Sequence, residues 1–569
     1  MQKNKKVLLG CEAIIQGALA AGVDFVSGYP GCPSAEIGDG FGKIAEKYGV
    51  YAEWSTNEKT GLEAAIGASF SGLKSLVNMK SFGINVCADV LLPLAYTGTK
   101  APMVIFVGDD PNCHSSAQTE QDSRGYAAIS HIPFLEPSDA QECYDFTKLG
   151  FEISEKFNIP VILRTTTRVA HQRAIVEMTP LAPRLQRTKG VFVKNPHQFS
   201  TMPPRTLEMK KELLEKIEKI KAFAEKSKAN PSTSLRASKK SKIGIITSGI
   251  SYSHVLDALE AMNLDIPVLK LGFFYPLPEK LIANFLKGKT KILVAEELEP
   301  HIEKEIVRIA KSAGPRIEIF GKDLLPVIGE LNVEKIVFAL SKILKVPYGE
   351  QAIKINNSFK ISNLKFKIPS RTARLCEGCP YWYIFPTLKR VAPDAIFTGD
   401  IGCNMIAGLA PHSMHDTLFA MGASIGIAHG ISKATNPSSA KASAGRQKTI
   451  AMMGDGTFFH SGIAGMINSV YNQSSPLMVV LDNRITAMTG HQVNPGMGKI
   501  LMGESVEELK IDEIAKACGV KHIKVLDPIN IKEFEETIKD FLQKDEISLI
   551  VAKRVCELLA RRSRKAKEG

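Results

Sequence analysis

The segment 452–492, MMGDGTFFHSG…LMVVLDNRITAMTGHQ, limits the fold more than any other part of the chain. An apolar run, TIAMM, ends in Gly454-Asp455-Gly456. A helix-like stretch follows, and a second apolar run, PLMVVL, ends in Asp482-Asn483. Strand, crossover helix and parallel strand put these polar residues at the C-terminal ends of two strands, where open α/β sheets bind ligands. Asp455 and Asn483 then meet at that edge although they lie far apart in sequence. A carboxylate, an amide oxygen and a nearby backbone carbonyl are hard oxygen donors, suited to octahedral Mg²⁺ shared with a diphosphate. The glycines admit a phosphate close to the backbone, and the helix N-terminus after Gly456 favours negative charge.

Length and composition narrow the class. A chain of 569 residues holds about three or four domains. Its 44% hydrophobic and 23% charged content is that of soluble globular proteins. The apolar start VLLGCEAIIQGALAAGV is broken by Glu12 and Gln16, so it reads as strand or turn and amphipathic helix, not as a secretory signal. No uninterrupted apolar run is long enough for a membrane span, and a cytoplasmic location is expected. The ten cysteines are then expected to be reduced thiols or metal ligands. Much of the +13 net charge sits in KKELLEKIEKIKAFAEKSK and ARRSRKAKEG, read as a solvated helix and a frayed tail. No aromatic-basic module accompanies it, which argues against nucleic-acid binding. A basic patch of this kind suits an acidic protein partner.

Apolar runs alternate with helix-like stretches along most of the chain, which predicts an α/β fold of three doubly wound domains. The first spans 1–185. A connector at 186–240 holds a long charged helix (about 205–228) and a Ser/Lys-rich loop. A second α/β domain covers 241–345, a linker 346–372, the domain with the GDG segment 373–556, and a basic tail 557–569. A small-polar surface loop is expected at TNPSSAKASAGRQK.

GDG followed by about two dozen residues and Asn resembles the thiamine diphosphate motif. That cofactor also needs a carboxylic acid at its aminopyrimidine nitrogen, so that the imino form can deprotonate the thiazolium carbon. Glu58, opening a small-residue helix in EWSTNEKTGLEAAIGASFSG, is the candidate, with Glu53 and Glu63 as rivals. The ordered motifs GYPGCPSAEI, EWSTNEK, HSSAQTEQDSRGYA, LEPSDAQE, LRTTTRVAH, KLGFFYPLP, CEGCP, GDIGCN and GDGTFFHSG…LDNRITAMTGHQ extend the likeness over residues 7–556. Together they resemble the α subunits of indolepyruvate:ferredoxin oxidoreductase, in the thiamine diphosphate-dependent 2-oxoacid:ferredoxin oxidoreductase family. The resemblance implies domains of the transketolase/pyruvate:ferredoxin oxidoreductase-like type. It makes Glu58 the aminopyrimidine activator and gives Asp455, Asn483 and the carbonyl of Ile485 the Mg²⁺. It sets Gly454, Gly456, Thr489, Gly490, His491 and Gln492 beside the diphosphate and thiazolium, with His491 catalytic. Substrate contacts are expected at Cys32, His114, Ser115, Gln118 and Arg124, with Arg124 holding a carboxylate or else forming a structural ion pair. Cys32 stands where related enzymes carry a hydroxyl, and a thiol is a weaker donor.

Cys376 and Cys379 form a CxxC before a proline, and Cys403 follows in GDIGCN. Related oxidoreductases hold a [4Fe–4S] cluster on such a set, with four thiolates required. Cys556 is the expected fourth ligand and Cys518 its rival; a zinc site or ordinary buried thiols are the alternatives. Cys11, Cys87, Cys113 and Cys143 read as core residues. The implied reaction is oxidative decarboxylation of an aryl 2-oxoacid of the indolepyruvate or phenylpyruvate type. Coenzyme A takes the acyl group and ferredoxin the electrons. A smaller β (γ-domain) subunit completes the implied α₂β₂ assembly, with no nucleic acid and no membrane. Family members continue into a ferredoxin-like domain with two CxxCxxCxxxCP runs. None occurs here, so electrons are expected to leave through the one cluster to another protein, or that domain is encoded separately. A non-redox thiamine diphosphate decarboxylase or synthase, and a non-catalytic scaffold subunit, are the competing readings.

Overall fold

Apolar runs bounded by glycine, proline and aspartate become the strands of three largely parallel sheets. The computed structural model describes residues 4–115, 117–184, 186–231, 241–313, 317–347, 373–435 and 447–568. The chain divides into two compact units, Met1–Phe366 and Lys367–Gly569.

The first unit carries a seven-stranded sheet. Its spatial order is Phe273–Tyr275, Phe134–Leu135, Val161–Thr166, Met103–Asp109, Ser75–Lys80, Phe25–Gly28, Tyr51–Ala52. All neighbours are parallel except the first pair. Met103–Asp109 and Ser75–Lys80 are buried along their whole lengths. Central strands covered on both faces need continuous apolar runs, and both have them up to their polar C-terminal ends. A four-stranded parallel sheet, Val268–Lys270, Ile243–Thr247, Lys291–Ala295 and Glu318–Phe320, belongs to the same unit. The segment after it is not self-contained: Phe273–Tyr275 leaves this sheet and pairs with Phe134–Leu135. An outlying antiparallel ribbon joins Asn4–Leu9 to Arg173–Met178.

The charged helix of the connector spans Arg205–Ala224 and is not simply solvated. Met209, Leu213, Ile217, Ile220 and Ala224 recur at helical spacing and are buried. The Ser/Lys-rich loop and most of the 346–372 linker and of TNPSSAKASAGRQK lie outside the described residues.

The second unit is a six-stranded parallel sheet ordered Thr417–Leu418, Ile396–Gly399, Thr449–Gly454, Leu477–Asp482, Ser548–Lys553, His522–Leu526. Thr449–Gly454 and Leu477–Asp482 are adjacent, with Gly454 opposite Leu481. Two apolar clusters cover the sheet, one including Ile450, Met452 and Leu481, the other Ala451, Met453 and Val480. These residues alternate along the strands, as the two-residue period requires. The basic tail is helical over Glu557–Glu568. Among the described residues no helix is long and apolar enough to cross a membrane.

Candidate active site

In the second unit, the GDG turn sits at the C-terminal end of Thr449–Gly454, as the βαβ reading requires. Asp455 opens the helical segment that runs through a wide π turn, Phe458–Gly462, into Ile463–Tyr471. Such turns recur at functional sites. The Asp455 side chain is buried; one oxygen accepts from the Gly456 N–H at 2.8 Å and the other from Asn494 Nδ2 at 3.1 Å. Burial, then the neighbouring Asp482 carboxylate, pushes the Asp455 carboxyl up to about 7. Hydrogen bonds from Asn494 and from the Gly456 and Ile485 amides pull the other way. Asn483 is buried alongside. Its Oδ1 accepts from the Ile485 N–H at 3.2 Å and its Nδ2 donates to the Tyr381 hydroxyl at 3.1 Å.

Two buried carboxylates and an amide oxygen at one sheet edge form a hard, electron-rich set. It fits a divalent cation whose remaining ligands are a backbone carbonyl and a diphosphate. Among the described residues no three His, Cys, Asp or Glu side chains gather closely enough to hold a metal ion by themselves.

The TGHQ segment closes the same loop. Thr486 and Gln492 exchange backbone hydrogen bonds at 3.0 Å, and Thr489 Oγ1 donates to Gln492 Oε1 at 2.5 Å. Gly490 at φ 124° and His491 at φ 71° make the turn this tight. His491 lines the same cavity as Asn483. Its Nε2 lies 3.7 Å from Cys556 Sγ, and burial lowers its pKa from the ordinary histidine value.

Cys376, Cys379, Cys403 and Cys556 line one cavity of about 70 Å³, together with Tyr381, Asn483 and His491. Three chain segments deliver them. The CxxC turn closes through Cys379 N–H donating to the Cys376 carbonyl at 3.1 Å, with Gly378 between them at φ 78°. Cys403 opens the 3₁₀ turn Cys403–Gly408 after Ile396–Gly399. Cys556 follows Ser548–Lys553, and its N–H donates to the Asn483 carbonyl at 3.0 Å. Cys556 is thus tied to the backbone of Asn483 by continuation of the sheet ladder. Burial pushes Cys379 up to about 11 and Cys403 up to about 12, the neighbouring thiols adding to both. Ligation would have to deprotonate them. Cys518 packs into the apolar cluster that contains Ala451 and Met453, whereas Cys379 and Cys403 pack against the one that contains Met452. It does not line the cavity.

In the first unit, Glu58 is the first residue of the helix Glu58–Phe70, whose N-cap Asn57 accepts from the Thr60 N–H at 2.9 Å. Glu58 is buried, and its side chain lies against Gly83 of the next helix, Ser81–Thr97. Glu63 is exposed. Glu53 accepts locally from Tyr51 at 2.8 Å and Ser55 at 2.7 Å.

Cys32 and Ser115 come together: Ser115 Oγ lies 3.2 Å from the Cys32 carbonyl. His114 is exposed and Gln118 half-buried in the same loop. Arg124 is not available to a substrate. It is 1% exposed, and its Nε, Nη1 and Nη2 donate to Asp122, Glu296 and the carbonyls of Glu297 and Glu299. The structural ion-pair reading replaces the carboxylate-binding one. Cys11, Cys87 and Cys143 are core residues, but Cys113 is half-exposed at φ 53° in the loop after Asp110.

Several site residues escaped sequence reasoning. Asn494 holds the Asp455 carboxylate from the NPG turn. Asp400 of GDIGCN accepts from the Ile401, Gly422 and Ser424 amides, and Asn404 donates to the Met452 carbonyl at 2.8 Å. The second GD pair, in GDIGCN, was the signal for Asp400; nothing local marks Asn494.

Two protein-family models match the chain. Pyruvate flavodoxin/ferredoxin oxidoreductase, thiamine diphosphate-binding, matches residues 16–241, and thiamine pyrophosphate enzyme, C-terminal TPP binding domain, matches residues 400–552. They define an α/β enzyme of the thiamine diphosphate-dependent 2-oxoacid oxidoreductase class. The chain is 40% identical to indolepyruvate oxidoreductase subunit IorA of Methanothermobacter marburgensis, over 98% of this chain and 87% of that one. It is 41% identical to IorA of Pyrococcus abyssi, over 98% and 86%. The chain belongs to the indolepyruvate oxidoreductase subunit IorA family.

Proposed function

We propose that this subunit carries out thiamine diphosphate-dependent oxidative decarboxylation of aryl 2-oxoacids. The acyl group passes to coenzyme A, the electrons pass to ferredoxin, and a smaller subunit completes the assembly. When bound, thiamine diphosphate supplies the carbon nucleophile and electron sink, and a [4Fe–4S] cluster accepts electrons singly. Glu58, through its buried carboxyl, serves the aminopyrimidine end of the cofactor. Asp455, Asn483 and the Ile485 carbonyl hold Mg²⁺ at the diphosphate end, and Gly454, Gly456, Thr489, Gly490 and Gln492 shape the turns around it. Cys376, Cys379, Cys403 and Cys556 hold the cluster. His491, against Cys556, is assigned to the cluster side of the site and excludes water there.

One observation carries the redox reading over a plain decarboxylase. Four thiols from three segments surround a cavity that Asn483, the diphosphate-side ligand, also lines. A cluster held by these thiols would share its cavity wall with a residue proposed to hold the cofactor's metal, and would supply a one-electron acceptor there. Anaerobically purified protein should hold about four irons per chain and release thiamine diphosphate on denaturation. Cys556→Ser should lose most of the iron and keep the thiamine diphosphate. Iron-free wild-type protein that still releases the cofactor would identify a non-redox decarboxylase or synthase instead.

A further inference from the structure

Four neighbouring parallel strands of the first sheet, Phe25–Gly28, Ser75–Lys80, Met103–Asp109 and Val161–Thr166, end along one edge. Cys32, Lys80, Asp110 and Thr167 stand at or just beyond those ends. Lys80 is 8% exposed, and its ammonium donates to the Ser115 carbonyl at 2.6 Å and to Ser115 Oγ at 3.1 Å. Ser115 is itself held. Its N–H and hydroxyl donate to one Asp110 oxygen at 2.7 and 2.6 Å, and Thr167 donates to the other at 2.7 Å.

A buried ammonium is costly unless an anion meets it. Among the described residues Lys80 has no ion pair: both of its acceptors are neutral oxygens of one serine, and an ammonium has three donors. Asp110 is near enough to be felt but spends its oxygens on Ser115 and Thr167. Burial lowers the Lys80 pKa, with Asp110 and Cys32 opposing. A carboxylate arriving at the ammonium would reinforce that opposition and fix the charge. The place is right as well. Lys80 immediately precedes the helix Ser81–Thr97, and Gly83, three residues on, is the residue against which Glu58 lies. Of the nearby arginines, Arg124 is committed to protein oxygens, Arg164 pairs with Asp109 and Glu136, and Arg168 pairs with Glu330.

We infer that Lys80 binds the carboxylate of the 2-oxoacid substrate, and that Ser115, held by Asp110 and Thr167, aims its ammonium. The inference rests on the proposed function. It assigns the recognition of the substrate's charge to a residue that no motif marked.

The test uses the enzyme assembled with its partner subunit and loaded with thiamine diphosphate. Lys80→Met should raise KM for an aryl 2-oxoacid about ten- to hundredfold, with kcat changed far less and thiamine diphosphate content unchanged. Equilibrium binding supplies a readout that a structural role would not move. Wild type should prefer an arylacetate to the matching arylacetamide, Lys80→Met should lose the preference, and Lys80→Arg should restore part of it. Should Lys80→Met fail to fold, Ser115→Ala replaces it and should weaken the same preference several-fold. A loaded variant with wild-type KM and intact carboxylate preference overturns the role of Lys80 alone. Wild-type protein that binds no thiamine diphosphate overturns the proposed function, and this inference with it.

Discussion

Asp455 carries a charge that the protein alone accommodates poorly. Its carboxyl is buried beside Asp482, and both effects push it up to about 7. A divalent cation shared with a diphosphate would relieve that cost, which ties cofactor retention to this one side chain. Asp455→Ala should therefore keep the fold and lose Mg²⁺ and thiamine diphosphate affinity by roughly a hundredfold or more, since even outer-shell changes cost up to that. Equilibrium dialysis against the wild type measures it, and unchanged retention would remove Asp455 from the ligand set. Asp455 and Asn483 were legible because a βαβ unit fixes, from local sequence, which residues end two adjacent strands. Asn494 was not, because its contact with Asp455 crosses a loop whose path no periodicity predicts. For Arg124 the sequence offered the ion pair as one of two readings but could not name its partners, for the same reason. The polar composition of its own loop says nothing of Glu296, which reaches it from 172 residues away.

The helix pair Glu58–Phe70 and Ser81–Thr97 positions the Glu58 carboxyl by close packing. A Cβ added at Gly83 would stand 2.6 Å from Glu58 Cγ, 3.0 Å from its Oε1 and 2.8 Å from Met79 Cβ. The backbone at Gly83 is ordinary helix, so Ala is excluded there by its neighbours and not by its own conformation. Gly83→Ala should displace the Glu58 carboxyl while leaving the diphosphate end untouched. Displacements of this size cost on the order of a hundredfold in rate, so kcat should fall by that order with thiamine diphosphate content retained. Equal kcat would mean that Glu58 acts from elsewhere or not at all. The small-residue character of this region was visible in EAAIGASFSG, and Glu58 stood out as a helix opener. The partner glycine was not visible, because only the packed structure shows which residue of the following helix meets it. The charged connector helix, Arg205–Ala224, makes the same point. Its lysines and glutamates dominate composition, but five small or apolar residues at helical spacing decide that one face is buried.

Across the first unit, the two sheets are joined by buried charge. Arg164 pairs with Asp109 at 2.9 Å and with Glu136, Arg124 pairs with Asp122 at 2.7 Å and with Glu296 at 2.8 Å, and Glu297 lies beside them. Five carboxylates face two guanidiniums, so the acids outnumber the cations, and burial raises Asp109 and Glu296 as well as Glu297. Glu297 is pushed up to about 7 by burial, with Glu330 and Glu136 adding to this and Arg164 and the Leu331 amide opposing it. The folded chain then keeps a proton on Glu297 up to about pH 7, while the unfolded chain releases it near the ordinary value of 4.5. Between these values the folded state binds the extra proton, so this group's contribution to stability falls as pH rises through that window and is least above it. Glu297→Gln keeps an acceptor for the Leu331 N–H, now made at 3.0 Å, and removes the buried charge. Its melting temperature should match the wild type at pH 5 and exceed it by a few degrees at pH 8, read by thermal denaturation at the two pH values. A loss at pH 8 would show that Arg164 needs the Glu297 charge, and that the network is held by pairing and not merely tolerated.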